Sequence, residues 1–218
     1  MKRKYYGNLL KFFFLLMALQ IPIGGIAQDN YRPSLFFREG WREIPFATPI
    51  TQEHVESPDL ILSLYGPGAD SIRKSHHDRP ADDPYYVWSG LCNGNWAVTL
   101  KHKDSYADLS KFSKIKWRTW QSGFRNLRII LKLADGTWLV GDQYDGSSKD
   151  WRIREFNIAD INWYQLNIQD VSERRQVIDP DLSRVDEIGF TDLMRGGRSD
   201  ACSRLDWIEV YGNPVPRQ

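Results

Sequence analysis

An all-β sandwich of antiparallel sheets is the fold this sequence predicts, and three observations predict it. From residue 85 onward, apolar and polar residues alternate over short segments separated by turn residues. Asp135-Gly136 lies between two such runs, a strong short-range hairpin signal, with both turn positions expected at positive φ. No stretch beyond the first thirty residues carries the apolar period of a long helix.

The chain opens with Lys2, Arg3 and Lys4, then an apolar run from Leu9 to Ile23, then Gly24, Gly25, Ile26 and Ala27. That is the order of a secretory signal, with cleavage expected near Ala27. Lys11, Gln20 and Pro22 interrupt the run, which argues against a spanning helix of about 20 apolar residues. No second run of spanning length follows, so no membrane span is expected in the mature chain, which is placed outside the cell or in the periplasm of a bacterium. Residues 1–27 hold four of the 29 Lys+Arg and none of the 28 Asp+Glu, leaving 25 against 28, a formal charge of −3. A duplex-binding domain shows a basic excess on one face, so no nucleic-acid partner is expected.

Residues 28–58 contain Pro33, Pro45, Pro49 and Pro58 and read as an irregular lead-in with one short strand near Leu35–Phe37. A single sandwich domain is expected over 59–213. Asp59–Tyr65 is apolar and suits a strand that Gly66-Pro67-Gly68 ends. Residues 69–84 read as a long polar loop, and such loops are often functional. Strands are expected at Tyr85–Ser89, Trp96–His102, Ile115–Trp120, Leu127–Leu133, Thr137–Gly141, Arg152–Phe156, Tyr164–Ile168, Glu187–Thr191 and Leu205–Tyr211. Helical turns are expected near Ile158–Asn162 and Val171–Arg175.

Part of this pattern resembles a known family. Asp108-Leu109-Ser110, Ile115-Lys116-Trp117-Arg118, and the strand from Trp151 to Phe156-Asn157-Ile158 are similar to the body of galactose-binding-domain-like jelly rolls. Val185-Asp186-Glu187-Ile188-Gly189-Phe190 and Leu205-Asp206-Trp207-Ile208-Glu209-Val210-Tyr211-Gly212 resemble their two closing strands. The resemblance implies a jelly-roll β-sandwich of two antiparallel sheets. Members are commonly carbohydrate-binding modules, so it also implies a carbohydrate ligand. No family ligand motif matches residue by residue.

Strand parity assigns faces. Leu127, Ile129, Leu131 and Leu133 belong to the core, leaving Arg128, Ile130 and Lys132 opposite. Ile115 and Trp117 point in, and Lys116, Arg118 and Trp120 point out. Trp96, Val98 and Leu100 point in, and Lys101 points out. Trp138, Val140 and Asp142 are assigned to the outside. Side by side, these sets predict one platform of Lys101, Lys116, Arg118, Arg128 and Lys132 around Trp120 and Trp138, with Asp142 at its border. Aromatic rings stack on the apolar C–H face of a pyranose, and Arg forks onto a carboxylate or sulfate. The platform therefore suits an acidic polysaccharide. Trp88, Trp163 and Trp207 are further contact candidates.

Other chemistry is conceivable. His76-His77, followed by Tyr85-Tyr86, could supply base and acid for an elimination from a uronic acid if the 69–84 loop folds over the cations. Asp179, Asp181, Asp186 and Glu187 offer oxygen ligands for a structural Ca²⁺, although the Asp-x-Asp-x-Asp-Gly order of a calcium loop is absent. Asp192 and Arg195, near the Gly196-Gly197 loop, are second-choice ligand contacts. Cys92 and Cys202 either form a disulfide or are two separate buried thiols. No cofactor is required by any motif. The sequence thus predicts a secreted carbohydrate-binding sandwich. The alternatives are a lyase- or glycoside-hydrolase-type enzyme acting at the His76-His77 loop, and a cell-surface structural or interaction protein.

Overall fold

The computed structural model describes residues 32–194 and 200–217. The expected leader 1–27 and Arg195 lie outside the described residues. Fifteen strands form within them. The first eight are β1 (Leu35–Glu39), β2 (Leu60–Tyr65), β3 (Arg73–Ser75), β4 (Tyr86–Trp88), β5 (Trp96–His102), β6 (Ser105–Asp108), β7 (Lys114–Gln121) and β8 (Leu127–Leu133). Then follow β9 (Trp138–Asp145), β10 (Arg152–Asn157), β11 (Trp163–Asn167), β12 (Ser172–Val177), β13 (Val185–Asp192), β14 (Ser203–Tyr211) and β15 (Asn213–Pro216).

The strands build a jelly-roll sandwich of two antiparallel sheets. The six-stranded sheet runs β10-β7-β14-β4-β3, with β1 also paired to β14. The nine-stranded sheet runs β12-β11-β9-β8-β13-β5-β2, with β6 joining β13 and β15 joining β6. Period-two alternation turns Ile115, Trp117, Leu127, Ile129, Leu131, Trp96, Val98 and Leu100 into one core between the sheets. The opposite parity of the nine-stranded sheet makes a second apolar cluster on its outer face: Ala97, Ile130, Trp138, Val140, Leu166 and Val171.

Several segments depart from expectation. The short strand expected near Leu35–Phe37 is β1, which joins the six-stranded sheet, but the rest of the expected lead-in is not outside the domain: Phe37, Trp41, Ile50 and Val55 belong to the main core. The packing of the sandwich therefore begins before residue 59. The 69–84 loop contains a 3-10 turn (Ala69–Ser71) and the short strand β3. The helical turn expected at Val171–Arg175 is β12 instead, an edge strand pairing with β11. Its central Glu173, Arg174 and Arg175 face solvent, as edge strands favour, so it carries no apolar period. The turn expected near Ile158–Asn162 is a 3-10 turn at Ile158–Asp160.

The Asp135-Gly136 hairpin joins β8 to β9, but only Gly136 has positive φ, at 89°. Gly136 N–H donates to the Leu133 carbonyl at 3.0 Å, and Leu133 N–H to the Thr137 carbonyl at 2.8 Å. This is a three-residue loop closed by a glycine bulge rather than a two-residue primed turn.

Candidate functional site

The predicted single platform does not exist. Arg118 and Trp120 lie on β7 in the six-stranded sheet, whereas Lys101, Arg128, Lys132, Trp138 and Asp142 lie in the nine-stranded sheet. Each residue faces away from the main core as parity required. The error is one of sheet membership. Gly123 (φ 64°) and the turn around it carry the chain from β7 in one sheet to β8 in the other, and alternation within a strand is blind to that crossing.

The platform is not a field of free cations either. Lys101 pairs with Asp186 at 3.2 Å, Lys116 with Glu209 at 3.8 Å, Arg118 with Asp206 at 2.7 Å and Arg128 with Glu173 at 2.5 Å. Lys132 pairs with Glu187 at 2.8 Å and Asp186 at 3.5 Å. Trp138 is 9% exposed, with Tyr65 against it edge-on at 5.0 Å between ring centroids and Lys132 over its ring at 5.6 Å. It belongs to the outer apolar cluster and offers no stacking face. The Lys132 ammonium loses from burial but gains more from the Glu187 hydrogen bond and charge, so its pKa is raised.

What the nine-stranded sheet does present is a groove of about 250 Å³ lined by Asn126, Arg128, Asp142, Tyr144, Tyr164, Glu173, Leu193 and Met194. Arg128 on β8 lies directly across from Tyr144 on β9. Its Nε donates to the Gly141 carbonyl at 2.6 Å and its Nη2 to Glu173 at 2.5 Å, so the guanidinium is held at two points. Asp142 accepts from the Asn162 backbone N–H at 2.9 Å and from its side-chain amide at 2.8 Å. Tyr144 is 56% exposed. One open aromatic ring among a fixed guanidinium, two carboxylates and an amide provides a stacking surface with donors and acceptors beside it.

Two predicted residues, Arg128 and Asp142, thus reach the groove. Tyr144, Tyr164, Asn126 and Glu173 were missed. Tyr144 was findable: it continues the outward parity of Trp138, Val140 and Asp142, but the strand was expected to end at Gly141.

The Ala69–Ser71 turn contacts β2 and β5 of the nine-stranded sheet, whereas β3 pairs with β4 of the six-stranded sheet and residues 81–84 lie beside Arg118. The four residues proposed for catalysis separate into two pairs. His76 stacks on Tyr85 at 4.0 Å and 8°. His77 takes up Asp83, its Nδ1 lying 2.9 Å and its backbone N–H 2.8 Å from Oδ2. A carboxylate only accepts, so His77 Nδ1 carries the proton, and the Tyr86 hydroxyl sits 3.1 Å from the same nitrogen. Burial raises the Tyr86 phenol, with the Asp83 charge adding to the effect. Tyr86 packs on Trp151 at 5.3 Å, Trp151 on Trp120 at 6.0 Å, and Arg118 lies over Trp151 at 5.4 Å. Trp120 is therefore one member of an aromatic group capped by Arg204 at 4.7 Å.

The remaining expectations resolve individually. Cys92 and Cys202 are free, buried thiols, not a disulfide. Cys92 S–H donates to the Gly68 carbonyl at 3.5 Å and burial pushes its pKa up to about 12, while Cys202 sulfur lies 3.4 Å from Ser122 Oγ. Three of the four carboxylates considered for Ca²⁺, Asp181, Asp186 and Glu187, serve other partners. Asp181 accepts from the Ser183 N–H at 3.0 Å, Asp186 is bound by Arg217 and Lys101, and Glu187 accepts from Thr99 at 2.6 Å and Tyr65 at 3.0 Å. Among the described residues no group of three or more His, Cys, Asp or Glu could hold a metal ion. Asp192 is fully buried against Arg125, 3.3 Å away, and is closed to a ligand. Trp163 is a core residue. No helix among the described residues is long and apolar enough to cross a membrane.

Fold and groove together define a jelly-roll sandwich with an aromatic and polar groove on the outer face of its larger sheet. Among solved structures, the chain is similar to a family 11 carbohydrate-binding module of a cellulosomal cellulase from Clostridium thermocellum. The two share 17% identity over 79% of this chain and 97% of that one, with a TM-score of 0.46. It is also similar to a family 11 module from the same organism in complex with a β-1,3-1,4-mixed-linked tetrasaccharide, at 18% identity over 77% and 95% of the two chains and a TM-score of 0.44. An exo-β-agarase matches at 10% identity over 74% of this chain and 24% of its own, with a TM-score of 0.42. No family model and no curated protein matches the chain.

Proposed function

We propose that the protein binds a carbohydrate in the groove between β8, β9, β11 and β12. The observation that carries this is the exposed Tyr144 ring directly across the strand pair from Arg128, whose guanidinium is immobilised by Gly141 and Glu173. Sugars are held by just this pairing of ring stacking with charge-assisted hydrogen bonds. Arg128 is outweighed in the groove by Asp142 and Glu173, and Lys101 and Lys132 are paired by Asp186 and Glu187. That balance favours a neutral glycan over the acidic one suggested by the sequence. Export with cleavage near Ala27 belongs to the same proposal, and the N-terminal sequence of the mature chain tests it.

Affinity electrophoresis against soluble neutral and acidic polysaccharides tests the groove. Retention by a neutral glucan or galactan, lost in Tyr144→Ala and kept in Trp120→Ala on the opposite sheet, is the expected pattern. Absence of retention on every glycan, or equal retention by Tyr144→Ala, refutes it.

A second reading, sugar chemistry at the 69–84 loop, is favoured by the Asp83, His77 and Tyr86 array beside Arg118. It requires release of unsaturated or reducing products from a glycan by the protein and loss of that release in His77→Ala.

A further inference from the structure

The outer face of the nine-stranded sheet is open on one side and shut on the other. Tyr144, Arg128, Thr191 and Ala97 lie side by side across β9, β8, β13 and β5. Tyr144 is 56% exposed, whereas Thr191 and Ala97 are fully buried. In the next row Val140, Ile130, Gly189 and Thr99 are all buried. The groove at Arg128 therefore continues neither down β8 and β9 nor across to β5.

The β11–β12 hairpin is what shuts it. β11 pairs with β9 from Trp163 to Gln165, and the residues that follow bend over the sheet. Leu166, Val171 and the partly buried Ile168 form one apolar cluster with Ala97, Ile130, Trp138 and Val140, and Leu193, just past β13, packs against it. The hairpin tip reaches Gly66, just past β2, and Asn95, just before β5, on the far side of the sheet from β11.

The tip is firmly seated there. Val171 is fully buried at a φ of 48°, a conformation that β-branched residues rarely adopt. Its carbonyl accepts from Asn95 Nδ2 at 2.9 Å. Gly66, with φ 88°, leaves room for its side chain, since a Cβ there would lie 2.4 Å from Val171 Cγ2. From this seat the two stems carry Tyr164 and Glu173 into the groove as its wall.

On the other side of Tyr144 the surface stays open. A shallow concavity of about 590 Å³, lined by Gln143, Gly146, Ser147, Arg152 and Arg154, shares Asp142 and Tyr144 with the groove. Ser147 and Arg154 are exposed. Among the described residues, the path from this concavity runs over Tyr144 to Arg128 and stops at the hairpin. A segment from the middle of a polymer must leave its site in two directions. Here the second direction is filled by buried side chains, and opening it would mean unseating Val171.

We propose that the groove takes the end of a glycan chain and rejects its interior. The terminal unit lies against the hairpin wall beside Arg128 and Glu173, and the rest of the chain leaves over Tyr144 towards Gly146 and Arg154. This rests on the carbohydrate reading of the groove and names the part of the glycan that it recognises.

Isothermal titration of the full chain tests it with a soluble linear β-glucan and a soluble linear galactan. Each is used intact and after hydrolysis that shortens its mean length tenfold, at equal mass. Recognition of ends predicts that affinity per gram rises about tenfold on hydrolysis, with one protein bound per chain at every length. Affinity per gram that does not change, or several proteins bound along one chain, overturns the proposal and leaves the groove reading standing. No binding to either glycan in either form overturns both. A variant in which Asn-Gly replaces residues 168–171 removes the tip, and in that variant the gain on hydrolysis should disappear. A gain of the same size in the folded variant overturns the role given to the hairpin.

Discussion

Replacing Asp145 by alanine should be among the most damaging single changes in the protein, and the coordinates say why. Asp145 is fully buried at the end of β9, between the sheets. It accepts the indole N–H of Trp117, itself 0% exposed, at 3.1 Å, and the hydroxyl of the fully buried Thr119. On its outer side it accepts from Arg152 Nε at 2.9 Å. In Asp145→Ala two buried donors lose that acceptor, and each unmatched buried donor costs about 1–3 kcal/mol. Arg152 is about a third exposed and keeps the Gly146 carbonyl at 2.7 Å, so it rehydrates. The sum is roughly 4 kcal/mol out of a total stability of about 5–15 kcal/mol. For a domain of this length it corresponds to a fall in Tm of roughly 8–16 °C. Urea unfolding followed by tryptophan fluorescence measures it. In a Trp117→Phe background the Asp145→Ala cost should shrink by about 1–3 kcal/mol, because one orphaned donor is gone. A loss below about 1 kcal/mol would refute this reasoning.

Three further outcomes are expected. Burial alone would raise the Asp186 carboxyl, but hydrogen bonds and charge from Arg217 and Lys101 together hold it below the ordinary 3.8. Its stabilisation is complete above that value and is lost as pH falls through the lower folded pKa, so Asp186→Asn should flatten the acid limb of a plot of urea midpoint against pH below about 4. With the Cys92 thiol pushed up to about 12 and both cysteines free, native protein should resist alkylation at pH 8, react fully in urea, and show the same Tm with and without reductant. Gly189→Ala should cost at least about 3 kcal/mol or prevent soluble expression, since an added Cβ would lie 2.0 Å from the Val98 carbonyl oxygen and 2.7 Å from Thr99 Cα, both backbone. Wild-type solubility and urea midpoint in that variant would sink the packing argument.

Much of the fold was legible because a half-buried strand writes its facing into alternate residues. Ile115 and Trp117 against Arg118 and Trp120, and Leu131 against Lys132, fall on the sides that parity assigned them. The joining of strands was not legible, since parity carries no information on which sheet a strand enters. Arg118 and Arg128 therefore seemed to be neighbours. Strand β12 was hidden because its exposed edge carries Glu173, Arg174 and Arg175 in place of an apolar rhythm, and β3 because three residues leave no period to detect. The groove was half visible, Arg128 and Asp142 being expected at a binding surface and Tyr144 lying just beyond the presumed strand end. The closed end of the groove was beyond reach, because Val171, Gly66 and Asn95 come together only through tertiary packing.

The second apolar cluster, behind the groove, bears on how ligand preference could change over time. Ile130, Trp138, Val140 and Leu166 lock the floor in place, so under the proposed binding most of the freedom lost on complex formation belongs to the ligand. Tyr144 and Met194, by contrast, stand at the solvent-facing rim, where substitutions away from buried features cost little stability. A scaffold divided in this way lets selection rewrite the rim while the floor, and with it the folded state, is left untouched.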